Sequence, residues 1–124
     1  MSQIVMRHAD GITILDIPKS FMEVSRTSEE RPRLYELVTE SLDNGRNKIV
    51  LNLSQVGYCS HTALGELIRT FKTILNRGGQ LKLSNVPPSL RAGLELTRTL
   101  KIFDIHDDEA GAIQSFQSTD APSA

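Results

Sequence analysis

One stretch governs what this chain can become: residues 49–84 read as strand, helix, strand with little chain to spare. Ile49-Val50-Leu51 with Leu53 is the short, nearly unbroken apolar run of a strand buried on both faces. Leu64, Leu67, Ile68, Phe71, Ile74 and Leu75 then recur at helical spacing, and Arg77-Gly78-Gly79 supplies a C-terminal stop. Over Gln80–Ser84, Leu81 and Leu83 alternate with Lys82 as a second strand. Strands joined through a helix by short links are parallel, and the crossover is right-handed. The spacing therefore predicts an α/β fold with this unit at its centre.

The remaining elements arrange themselves around it. Asp10-Gly11 supplies hairpin-turn chemistry between Ile4-Val5-Met6 and a run in which Ile12, Ile14 and Ile17 alternate with Thr13 and Asp16. This predicts strands over about 3–8 and 11–17, the second ended by Pro18, which cannot donate to a ladder. Leu34, Leu37, Val38, Ser41 and Leu42 fall on one helical stripe that stops at Asn44-Gly45. That helix starts near Pro32, or earlier at a capping box, Thr27 to Glu30, with a bend at the proline. Pro88-Ser89 opens a helix expected to turn Leu90, Leu94 and Thr97 inward. A strand at Ile102–Ile105 and a helix from about Asp107, with Asp107-Asp108-Glu109 suited to its positive end, complete the order. The pattern predicts one domain over residues 1–117, a mixed sheet of four to five strands with about four helices packed against it. If the helices share one face, the other needs cover from side chains or a partner. From Ser118 the chain is small and polar, and a disordered tail is expected at 118–124.

Composition removes several classes of function. Cys59 is the only cysteine among 124 residues, so no internal disulfide forms, and the N-terminal residues lack the apolar stretch of a secretory signal. No apolar run approaches the ~18 residues a membrane span needs. A net charge of −1, with acids and bases mixed throughout, gives no nucleic-acid footprint. A cytoplasmic location is expected. His8, His61 and His106 share no metal-ligand spacing with one another or with Cys59. Ser60-His61 has the residue types of a nucleophile and base, but no orienting acid, and Gly78-Gly79 lacks the lysine of a phosphate loop. No catalytic residue, metal or cofactor is expected.

The segment between the buried strand and its helix is Leu53-Ser54-Gln55-Val56-Gly57-Tyr58-Cys59-Ser60-His61-Thr62-Ala63-Leu64-Gly65. It resembles the STAS domain family, to which bacterial anti-sigma-factor antagonists belong. In that family a strand ending Leu-Ser-x-Val leads through an aromatic and an apolar residue into Asp-Ser-Ser-Gly-Leu-Gly at a helix start. Here Val56 and Tyr58 match, Cys59 takes the apolar place, Ser60 replaces the aspartate and His61 the first serine. Thr62 stands at the second serine, and Ala63, Leu64 and Gly65 follow. Ser20-Phe21-Met22-Glu23 occupies the place of the family's Gly-x-Leu-Asp, with the carboxylate one methylene longer. With the strand order and Gly78-Gly79, the resemblance spans about residues 3–115.

The resemblance implies a binding module in a partner switch. The unmodified chain would hold an anti-sigma factor or related serine/threonine kinase, and phosphorylation at Thr62, or alternatively Ser60, would release it. Two roles fit Thr62 at this stage, phosphate acceptor and helix cap. The implied docking surface takes in Glu23, Tyr58, Ser60, His61, Thr62 and Glu66. Arg69 and Lys72 extend it, lying off the apolar stripe as a basic outer face. Two other readings stay open: an accessory STAS subunit of a transporter or signalling complex, without phosphorylation, and a domain sensing a nucleotide or lipid. The oligomeric state is left open too, a homodimer included.

Overall fold

The computed structural model describes residues 4–18, 33–57 and 60–120. Strands β1 (Val5–Ala9) and β2 (Ile12–Asp16) form an antiparallel hairpin with Ala9 opposite Ile12. Between them Asp10 and Gly11 take φ of +53° and +78°, the two left-handed residues a tight primed turn demands. The turn itself thus sets the strand ends. Strands β3 (Lys48–Asn52), β4 (Gln80–Ser84) and β5 (Asp104–His106) add in parallel, giving a five-stranded mixed sheet in the order β1-β2-β3-β4-β5. Among the described residues four helices accompany it: α1 (Arg33–Asp43), α2 (His61–Asn76), α3 (Pro88–Leu96) and α4 (Glu109–Asp120). The expected architecture is present, and the β3-α2-β4 unit lies at its centre.

Strand alternation divides the core in two. Leu15, Ile49, Leu51, Leu53, Leu81 and Leu83 pack against Leu34 and Val38 of α1, Leu67 and Ile74 of α2, and Leu90 and Leu94 of α3. Ile12, Ile14 and Val50 point to the other face, where Ala112 and Phe116 of α4 cover them. The question of what shields the second face is thereby answered by the chain itself. At the end of α2, Gly79 has no room for a side chain, because a Cβ would lie 2.9 Å from Ile74 Cγ2 and 3.1 Å from the Asn47 carbonyl oxygen.

Three local expectations are corrected. Residues Leu100–Ile102 form a 3-10 turn, with the Ile102 N–H donating to the Thr99 carbonyl, so β5 begins only after Phe103, whose ring lies 4.4 Å from that of Phe71. Thr97 does not face inward: it is exposed at the end of α3, and its hydroxyl donates to the Gly93 carbonyl at 3.0 Å, satisfying a helix-end acceptor. Helix α4 continues through Ser118 to Asp120, where a tail was expected. The proposed capping box at Thr27 to Glu30 lies outside the described residues, within which α1 begins at Arg33.

Beneath α4 the second face is polar at both edges. Arg7 holds Asp16 at 2.6 and 2.8 Å and Glu109 at 2.5 and 3.1 Å, clamping β1, β2 and the start of α4 together. Those bonds, Asp16's first and then Glu109's, push the guanidinium further up from an already high value. Toward β5, Lys82 is buried but pairs with Asp104, and its ammonium sits 4.7 Å from the Phe116 ring centre. Partial burial pushes the Asp104 carboxyl up, yet the hydrogen bond and charge of Lys82, with His106 at 2.9 Å adding to them, bring it below the usual carboxylate range. A carboxylate held low when folded contributes stability above its unfolded value, about 3.9, that is lost as pH falls through the folded one. Asp104→Asn is therefore expected to be less stable than wild type at neutral pH, with a gap that narrows below about pH 4 in urea titrations.

Candidate functional site

The loop after β3 is held from both sides before it delivers the helix. Asn52 accepts the Ser54 N–H at 3.0 Å through its side-chain carbonyl, while its amide donates to Glu109 at 3.0 Å. Val56 is buried, and its N–H closes a turn onto the Leu53 carbonyl at 3.0 Å. From α3, the Ser89 hydroxyl donates to the Gly57 carbonyl at 3.0 Å. A loop pinned in this way places the start of α2 reproducibly at the carboxyl ends of the parallel strands, where open α/β sheets carry their sites.

Ser60 caps α2. Its backbone is extended (φ −73°, ψ 161°), its Oγ accepts the Ala63 N–H at 3.1 Å, and its carbonyl accepts the Leu64 N–H at 2.9 Å. Thr62, two residues on, is exposed, and among the described residues its hydroxyl has no hydrogen-bond partner. Ser60 thus does the capping, and Thr62 stays exposed. The first turn of α2 carries no acidic residue, so nothing there offsets the positive end of the helix dipole. Ser60→Ala is expected to cost about 1 kcal/mol by urea denaturation and to speed amide exchange in the first turn of α2.

Down the same side of α2, Thr62, Gly65, Arg69, Lys72 and Asn76 follow one another at intervals of three and four, and all are exposed. Gly65 leaves bare backbone beside the hydroxyl, with open space where a Cβ would stand. Arg69 is pre-positioned, its guanidinium carbon 4.3 Å from the centre of the Tyr35 ring of α1. Along this face Thr62 and Gly65 are uncharged, and Arg69 and Lys72, about two turns on, are cationic.

Not every residue expected at the site joins this face. Glu66 is buried, 5% exposed, so its side chain does not join the exposed face. Glu23 and Tyr58 fall outside the described residues, as does the side chain of His61, which opens the helix. Sequence reading missed Gly65, Ser89 and the Tyr35 platform. Gly65 was legible as the complement of the apolar stripe, whereas Ser89 and Tyr35 act across the fold and leave no local signal.

Comparison with known proteins places this geometry among relatives. The STAS domain family model matches residues 3–112. The chain is 24% identical over 116 residues to an anti-sigma F factor antagonist of Paenibacillus polymyxa, covering 93% of this chain and 95% of that protein. A crystal structure from Thermotoga maritima superposes with a TM-score of 0.76 at 25% identity, covering 92% of this chain and 94% of the other. The Bacillus cell fate determinant SpoIIAA in its phosphorylated form superposes at 0.68, covering 92% and 99%, and at 10% identity that likeness is one of fold. No helix among the described residues is long and apolar enough to cross a membrane.

Proposed function

This chain belongs to the STAS domain family, and from that premise we propose that it is a cytoplasmic, non-enzymatic binding module of the anti-sigma-factor-antagonist type. It holds an anti-sigma factor or related serine/threonine kinase on the α2 face, and phosphorylation of Thr62 releases that partner. The supporting observation is the exposed Thr62 hydroxyl at the start of α2, relieved of capping by Ser60. A phosphate there sits by the positive end of the helix, so the fold tolerates it. To a partner packed on Gly65 and Thr62 it brings about −1.5 to −2 charges and a hydration shell. Binding is lost while the domain stays folded.

Affinity capture from the native host with wild type, Thr62→Ala and Thr62→Glu tests this, together with intact-mass measurement before and after phosphatase. Capture of a kinase-like partner by wild type and Thr62→Ala but not Thr62→Glu, with a phosphatase-sensitive species about 80 Da heavier, supports the switch. Identical catches from both variants would instead indicate a fixed accessory subunit. The cationic end of the face predicts a kinetic effect: Arg69→Glu with Lys72→Glu is expected to slow association with the captured partner about tenfold at low salt, the difference shrinking as salt screens it.

A further inference from the structure

Strand β5 ends the sheet, and its main chain is arranged to meet a copy of itself. The His106 carbonyl accepts the Asn85 N–H at 3.2 Å, so His106 directs its backbone groups toward the β4 side. Backbone groups alternate in direction along a strand, so Asp104 shares that side and Ile105, between them, turns its N–H and C=O to the open edge. Among the described residues no loop or cap bond uses either group. The middle residue of β5 therefore offers one donor and one acceptor, the set that the same residue of an antiparallel copy completes.

Charges along the edge have the matching symmetry. Arg98 and Lys101 precede Ile105, Asp107 and Asp108 follow it, and all four are exposed. A twofold axis through Ile105 lays the basic segment of each copy beside the acidic segment of the other and sets Asp104 opposite the second copy's His106. Leu75 and Ile102, 52% and 51% exposed, flank a cleft of about 280 Å³ beside the same edge, apolar surface that a second copy would cover. The opposite edge lacks this symmetry, since the middle residue of β1 is Arg7, which would meet itself.

We propose that β5 pairs antiparallel with β5 of a second copy of this chain, Ile105 opposite Ile105, joining two five-stranded sheets into one and leaving the α2 face of each copy open. The pairing is independent of any switch at Thr62. Sedimentation velocity on the full chain across the micromolar range tests it. Wild type is expected to sediment as a dimer. The Arg98→Glu/Lys101→Glu double variant and Asp107→Lys alone are each expected to dissociate at least about tenfold more readily. Mixing those two variants should restore the dimer in part, because the mixed pair regains the wild-type opposition of charges on one side and removes the like-charge clash on the other. Ile105→Pro, which deletes the outward N–H but no bond to β4, should also be monomeric. A wild type that stays monomeric throughout overturns the proposal. So does a dimer that none of the variants weakens, or a mixture of folded charge variants that stays monomeric.

Discussion

Glutamate in place of Thr62 is expected to weaken partner binding by about two orders of magnitude while leaving stability within about 0.5 kcal/mol of wild type. The two halves of this expectation come from different physics. Within the chain, position 62 is exposed, makes no hydrogen bond among the described residues, and lies in a first helical turn without another acid. A carboxylate there interacts favourably with the helix dipole. Across the interface the same carboxylate must lose water against a surface shaped for a neutral hydroxyl, and an unpaired buried charge costs several kcal/mol. The hundredfold figure needs only about 2.7 kcal/mol of that, and a phosphate, with its greater charge, exceeds it. Titration calorimetry against the captured partner, alongside thermal melts, separates the terms. Binding and melting temperature falling together would mean that the substitution damages the fold, and unchanged binding would place the docking face elsewhere.

The β3-α2-β4 unit was legible because burial and periodicity act locally there: an apolar strand, a stripe and a glycine stop are each written in consecutive residues. The Asp10-Gly11 turn was legible for the same reason, its φ values being a property of two residue types. The coverage of the second sheet face was not, because Ala112 and Phe116 make too sparse a pattern to announce an amphipathic helix, and their counterparts Ile12, Ile14 and Val50 lie far away in sequence. Thr97 was misplaced since helical spacing takes no account of a hydroxyl that satisfies its own helix end. At the site, the position of Thr62 followed from its motif, but its freedom to act depended on which hydroxyl capped the helix. That is decided by the Ser60 backbone angles and a bond to Ala63, geometry that residue identity alone leaves open. Glu66 shows a similar limit: a carboxylate on the flank of an apolar stripe gives no local sign of the burial that the fold imposes on it.

The second face gives the largest expected loss of stability, about 3–5 kcal/mol for Phe116→Ala. Phe116 is 1% exposed and is the main cover over Ile12, Ile14 and Val50, where α1, α2 and α3 cannot compensate because they lie on the opposite side of the sheet. Its removal opens a cavity and also takes the ring from beside the buried Lys82 ammonium, leaving that charge to Asp104 alone. Against a typical total of about 5–15 kcal/mol, the deficit lowers the urea midpoint markedly. It also has a directional consequence. Helix α4 begins at Glu109, which Arg7 and Asn52 hold, and Asn52 in turn holds the Ser54 amide at the start of the loop that leads to Thr62. A loosened α4 is therefore expected to raise amide exchange at Ser54 more than Leu94→Ala does, since Leu94 belongs to the other core cluster. Equal exchange at Ser54 in the two variants, once matched for global stability, would show that the Asn52 link carries no mechanical load between the second face and the Thr62 loop.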